Sequence, residues 1–122
     1  MFQQRLADIA RRLEGLAFAS LVAADGIRVE SYAVGGRGLD GLDADNLAVE
    51  LLTQLKAISA NDGELGLGEV SEYSLSTDRF SVLIGKVAPG YFLMLVLASG
   101  SSFGRARFEL RRATLVFEDD LL

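Results

Sequence analysis

The sequence contains no cysteine and no histidine, and the two absences remove several kinds of chemistry. Without cysteine there can be neither disulfides nor a thiolate nucleophile. Without histidine the commonest general base and the main transition-metal ligand are missing, so only carboxylates remain for binding a metal ion. We therefore expect no catalytic residues, no cofactor and no metal ion, and an enzyme is the least favoured class of protein.

The sequence also has no long apolar run, a single proline and no excess of positive charge. No run approaches the ~20 apolar residues of a membrane helix, and charged residues stand near the N-terminus where a signal peptide would be apolar. The net charge of −5 argues against nucleic acid as a partner. With one proline and 50% hydrophobic residues, the sequence predicts a single domain over 1–122, without membrane insertion and cytoplasmic in location.

The most informative segment that is present is a hairpin signal, Asp25-Gly26, between two β-type runs. The run before it is apolar on both faces, which is typical of a central strand. The run after it alternates, with Arg28 and Glu30 expected on one face and Val29 on the other, which is typical of a strand near an edge.

Periodicity along the chain predicts the order α-β-β-α-β-β-β-α. The helices are predicted at about 2–14, 44–60 and 102–118, and the strands at about 16–23, 27–34, 69–76, 80–87 and 91–98. The first and fifth strands are apolar on both faces and should be neighbours at the centre. Hairpin pairing then gives a five-stranded antiparallel sheet of order 2-1-5-4-3 with helices on both faces, an α+β fold.

Two segments match catalytic motifs in the wrong context. Gly36–Gly41 matches the dinucleotide pattern G-x-G-x-x-G, but it follows an antiparallel hairpin, and Asp43 and Asp45 put negative charge where phosphate would bind. Gly100–Gly104 matches the nucleophile elbow G-x-S-x-G, but the chain has no histidine to serve as base. We interpret the first as a surface loop and the second as a serine cap of the last helix.

Two charged clusters also have structural explanations. The last helix carries a basic rim of four arginines, expected to be solvated and paired with Glu109 and neighbouring acids, at Arg105, Arg107, Arg111 and Arg112. An acidic cluster, at Asp40, Asp43 and Asp45, is explained by helix capping and solvation, because its spacing matches no calcium loop.

Three segments together resemble a known family. They are the hairpin Leu21-Val-Ala-Ala-Asp25-Gly26-Ile27-Arg-Val-Glu-Ser-Tyr, the strand Gly90-Tyr-Phe-Leu-Met-Leu-Val-Leu and the closing Phe103-Gly-Arg-Ala-Arg-Phe-Glu-Leu-Arg-Arg-Ala113. With the second helix they resemble the roadblock/dynein light chain family over nearly the whole chain. The last segment is similar to bacterial and archaeal members, including relatives of the mutual gliding protein B.

The resemblance implies a homodimer in which the third strand pairs with its twin and the second helix packs antiparallel on its partner. The second helix carries a wide apolar arc, Ala44, Leu47, Ala48, Leu51, Leu52, Leu55 and Ile58, which agrees with this implication but is also compatible with an intramolecular core. The expected dimer interface is Leu47, Leu51, Leu55, Ile58, Val70, Tyr73 and Leu75.

The resemblance also implies a partner, a Ras-like small GTPase that the protein regulates or scaffolds through the paired second helix. Exposed polar positions of that helix, Glu50, Gln54 and Lys56, are the expected contacts. Two alternatives remain open from the sequence. One is a small-molecule-sensing module that binds on the sheet face, and the other is a purely structural dimerisation module.

Overall fold

The computed structural model describes residues 2–35, 39 and 41–121 and has the predicted order of elements, with one added short helix. The helices are α1 (Phe2–Arg12), α2 (Ala44–Ala60), α3 (Asp62–Leu65) and α4 (Phe103–Leu121). The strands are β1 (Leu16–Ala23), β2 (Arg28–Ala33), β3 (Glu72–Ser76), β4 (Phe80–Ala88) and β5 (Tyr91–Ala98). The five strands form one antiparallel sheet in the order β2-β1-β5-β4-β3, so the predicted fold class and strand order are confirmed.

Helices cover both faces of the sheet, as expected. On one face, α1 and α4 enclose a first core cluster with alternate residues of the central strands, among them Leu21, Leu83 and Leu95. On the other face, α2 encloses a second cluster with the intervening residues, among them Val22 and Met94. Because β1 and β5 contribute to both clusters, their continuous apolar sequence is explained by burial on both sides.

The glycine at position 85 allows α4 to lie close to β4. A Cβ at Gly85 would stand 2.5 Å from Cδ2 of Leu110 and 3.3 Å from Cβ of Glu72. Since non-bonded carbon atoms pack at about 3.5–4.0 Å, a larger residue there would collide with the side chain of Leu110 and displace it. This close approach positions the basic half of α4 over the β3–β4 edge.

The prediction that Arg28 and Glu30 share one face of the sheet is wrong, because the β1–β2 pairing contains an irregularity between Leu21 and Val22. Arg28 pairs with Val22, whose side chain lies in the second cluster, whereas Glu30 pairs with Leu21 in the first. The two charged side chains therefore point to opposite faces, since cross-strand partners share a face. A bulge of this kind interrupts alternation without leaving a signal in the sequence pattern.

The segment between α2 and β3 also differs from expectation. α2 ends at Ala60, as expected, with Asn61 as its C-cap. A short helix that was not expected follows, because the Asn61 carbonyl accepts hydrogen bonds from Glu64 and Leu65 at 3.1 and 2.9 Å and these bonds form α3. The third strand begins at Glu72 rather than Glu69, because the Val70 amide donates to Oγ of Ser59 in α2 at 3.1 Å. The chain there is held by α2 instead of the sheet.

Candidate functional site

The strongest candidate surface is built by α2 and the adjoining edge strand β3. The start of α2 is fixed by Asp43, whose Oδ1 accepts the Asn46 amide at 3.1 Å and whose Oδ2 accepts Nδ2 of Asn46 at 2.6 Å. Asp45 stands in the first turn, where a carboxylate is stabilised by the helix dipole. These contacts fix the start of α2 at the residue that the sequence predicted.

The apolar arc of α2 is used mostly inside the chain. Ala48, Leu51, Leu52 and Leu55 are buried in the second cluster. Leu47 is half-buried at the rim of that cluster, and Ile58 is also half-buried. Leu51 and Leu55, two expected interface residues, are therefore already covered by the sheet, and their side chains support the surface from below.

The expected partner contacts Glu50, Gln54 and Lys56 are all exposed on α2. Lys56 already has a bond within the chain, since its ammonium group donates to the carbonyl of Ala24 in the β1–β2 turn. The same turn approaches α2 at Gly26, where a Cβ would lie 2.7 Å from Cγ2 of Val49. The side chain of Lys56 therefore bonds α2 to the hairpin. Glu50 and Gln54 remain as exposed positions for contact with a partner.

The last strand in the sheet order, β3, has one side paired with β4 and an open outer side. The Thr77 amide donates to the Phe80 carbonyl at 2.8 Å, and the Lys86 amide donates to the Ser71 carbonyl at 2.9 Å. Because backbone groups alternate in direction along an antiparallel strand, the odd-numbered residues bond to β4. The backbone groups of residues 72, 74 and 76 consequently face outward.

Apolar side chains border this open edge on the α2 side. Tyr73 and Val70 are half-buried against the second cluster, and Leu75 is exposed on the same side, opposite Val82. Sequence reasoning missed Leu65 and Leu67, which are 56% and 68% exposed between α2 and β3. The available signal was a pair of leucines separated by glycine in a segment with neither helical nor strand periodicity.

Of the two catalytic-looking motifs, only Gly100–Gly104 lies wholly within the described residues. The hydroxyl of Ser102 accepts the Arg105 amide at 3.2 Å, which confirms the interpretation of Gly100–Gly104 as a helix cap. Most of the G-x-G-x-x-G motif, residues 36–38 and 40, lies outside the described residues. Asp40 of the acidic cluster does too, and no group of three metal-ligating side chains occurs in the part of the chain that is described.

The basic rim of α4 is paired differently from expectation. Arg107 and Arg111 reach Glu72 of β3, at 2.7 and 3.7 Å. Glu109 does not pair with this rim, because it is buried and bonds to Nε of Arg12 in α1 at 3.3 Å. The helix period explains this pairing, because it turns Glu109 toward the core and the arginines toward solvent and β3.

A small cavity of about 110 Å³ lies between α1 and α4, lined by Arg5, Arg12, Glu109, Arg112 and Phe117 among others. Both faces of the sheet are occupied by helices. This arrangement gives no support to a ligand on the sheet face. None of the described helices is long and apolar enough to cross a membrane.

No family model matches the sequence, and no curated protein matches it. Solved structures do match. MglC from Myxococcus xanthus is 30% identical, with 98% of each chain covered and a TM-score of 0.71. A structure described as MglB with tetrameric arrangement is 18% identical, with 95% of this chain and 84% of that chain covered and a TM-score of 0.82.

A Roadblock/LC7 domain from Streptomyces avermitilis is 14% identical, with 93% of this chain and 92% of that chain covered and a TM-score of 0.77. The sheet order and the two helical layers therefore define a protein of the roadblock/LC7 fold. The likeness to MglC extends to the sequence, and the chain belongs to the roadblock/LC7 family and is related to MglB.

Proposed function

We propose that the protein is a homodimer that regulates or scaffolds a Ras-like small GTPase through its paired α2 surface. The observation that carries the proposal is the open edge of β3, where outward backbone groups adjoin the apolar side chains of Val70, Tyr73 and Leu75. An unpaired edge strand is a template for strand addition. Pairing two copies there brings their α2 helices together on one face of a continuous sheet.

The dimer interface has a backbone part and a side-chain part. The backbone part is an antiparallel ladder between two β3 strands, formed by residues 72, 74 and 76. The side-chain part is Leu47, Ile58, Val70, Tyr73 and Leu75, supported from below by Leu51 and Leu55, with Leu65 and Leu67 added at the rim. Burying these apolar side chains in the dimer stabilises it by about 25 cal/mol for each Å² of apolar surface removed from water.

Replacing Ser74 with proline tests the ladder. Ser74 is exposed and its backbone N–H faces outward, so proline removes a donor from the dimer while leaving the β3–β4 bonds in place. We expect light scattering to give the wild-type protein twice its chain mass of 13.1 kDa. The Ser74→Pro dimer should dissociate at a protein concentration about 100-fold higher than the wild-type dimer does. Ser74→Ala keeps the N–H and should remain dimeric. Equal dimer stability of the two variants would exclude pairing through β3.

The GTPase is tested with a Ras-like partner from the same organism, loaded with a GTP analogue or with GDP. We expect the GTP form to bind about tenfold more tightly, which corresponds to about 1.4 kcal/mol. Glu50→Arg and Gln54→Arg should each weaken binding about tenfold if they lie in the interface. The matched control is Glu14→Arg, a charge reversal at an exposed position away from α2, and it should bind as wild type does.

The two experiments separate the parts of the proposal. A dimer that binds neither nucleotide form would rule out GTPase regulation and favour a purely structural dimerisation module. Nucleotide-dependent binding by a monomeric protein would support the GTPase as a partner but would rule out the paired α2 surface as its binding site.

A further inference from the structure

The face of α4 that points away from the sheet carries two large apolar side chains. Phe108 is 58% exposed and Leu115 is 75% exposed. They stand seven residues apart, which places them on one side of the helix about 10 Å from each other. Together with Val116, Arg111 and Arg112 they line one shallow groove, which we call the α4 groove. It lies across the sheet from α2 and is separate from the surface proposed to bind the GTPase.

The charges of the α4 groove are positive, although the chain as a whole is acidic. Within the described residues Arg112 has no acidic partner. Arg111 is held by Glu72 only at 3.7 Å, and its side chain is 73% exposed. The guanidinium group of Arg112 is thus available between two apolar anchors, and that of Arg111 is largely exposed beside it. Arginine binds carboxylates in two-point geometry, so this pattern suits an acidic ligand with apolar residues on either side.

We propose that the α4 groove binds an amphipathic helix of another protein, with two apolar residues seven apart and carboxylates between them. Apolar residues at this spacing form a stripe on one helix face, which would contact Phe108 and Leu115. Carboxylates three or four residues after the first of these apolar residues lie on the same face of the partner helix and would reach Arg111 and Arg112.

A second copy that covered both apolar anchors of the groove would bring like charges together. If two α4 helices packed antiparallel with Phe108 on Leu115, the arginines at 111 and 112 of both copies would meet at the two-fold axis. If they packed parallel, arginine would face arginine and, one turn further on, the acids Glu118 and Asp119 would face each other. Like charges in contact are unfavourable in both cases.

An anionic membrane is also a poor occupant. Glu118 and Asp119 are exposed one turn beyond Leu115, on the same side of α4 as the groove. A lipid surface that attracts the arginines would repel these carboxylates, whereas a partner helix can carry opposite charges along its length. Because the charge along α4 changes from positive to negative, a partner helix with the opposite charges would bind in one direction only.

The test uses two synthetic helical peptides that share leucines seven residues apart. One has glutamates between the leucines and the other has lysines. In fluorescence anisotropy with the full chain, we expect the glutamate peptide to bind at least about tenfold more tightly than the lysine peptide, and less tightly as salt is raised. Phe108→Glu and Arg112→Glu should each reduce the affinity for the glutamate peptide about tenfold.

The control is Ile27→Glu, the same kind of change at a similarly exposed apolar residue in the β1–β2 turn, and it should leave peptide binding unchanged. Absent or equal binding of the two peptides overturns the proposal. A change of oligomeric state in Phe108→Glu would also overturn the proposal, because it would show that a second copy covers the groove in the wild-type protein. Binding of wild type, but not Phe108→Glu, to phosphatidylserine vesicles would assign the groove to a membrane and overturn it as well.

Discussion

Replacing Leu95 with aspartate is expected to abolish cooperative folding. Leu95 lies in the central strand β5, paired with Ala19 of β1 and Leu83 of β4, and its side chain is fully buried in the first cluster. A carboxylate there would be buried without a partner or would be protonated at a high cost, in addition to the loss of leucine packing. The combined penalty of about 5 kcal/mol or more is comparable with the whole stability of a small domain.

Urea unfolding followed by circular dichroism measures this effect. The control is Leu115→Asp, the same substitution at a largely exposed position of α4, which should cost no more than about 1 kcal/mol. A native-like, cooperative transition for Leu95→Asp would show that β5 is not at the centre of the sheet.

The second large effect is expected from Arg12, which neutralises the buried carboxylate of Glu109. Glu109 is 2% exposed, and its two oxygens lie 3.3 and 3.5 Å from Nε of Arg12. Replacing Arg12 with methionine keeps the aliphatic length but leaves the carboxylate without this ion pair. Breaking a buried pair from one side is strongly destabilising, and we expect a loss of about 2–3 kcal/mol.

Arg11→Met is the matched control, because Arg11 occupies the next position of α1 and pairs with Asp8 at the surface. A surface pair contributes about 0–1 kcal/mol. The double variant Arg12→Met with Glu109→Met removes both charges and should recover most of the lost stability. If Arg12→Met costs no more than Arg11→Met, the ion pair is not what holds α1 against α4.

The parts of the fold that the sequence predicted are those in which local pattern and burial agree. The eight apolar residues of β5 left no polar face, so the strand had to be central. The bounds of α2, residues 44 and 60, were predicted correctly, because capping is a local interaction within a few residues.

The parts that could not be predicted depend on contacts between residues that are far apart in the chain. The late start of β3 depends on a bond between Val70 and Ser59. Glu109 was expected to pair with its own helix, but its partner is Arg12, which is 97 positions away. Neither contact has a periodic signal, since each is decided by how two elements pack.

The candidate site shows the same limit. The sequence identified the apolar arc of α2 but gave no measure of how much of it the sheet would cover, so Leu51 and Leu55 were grouped with Leu47 and Ile58. Leu65 and Leu67 were missed because apolar residues in an irregular segment have no assigned face until the chain is folded.

The outward row of backbone groups on β3 has a consequence for molecular discrimination. Amides and carbonyls are the same in every protein, so a ladder at residues 72, 74 and 76 would accept a strand of any related chain with equal ease. The choice between a twin and a paralogue then falls to the side chains beside the ladder, Val70, Tyr73 and Leu75, and to the leucines at 65 and 67. Exchanging these five side chains between relatives would change which chains assemble while leaving the sheet itself intact.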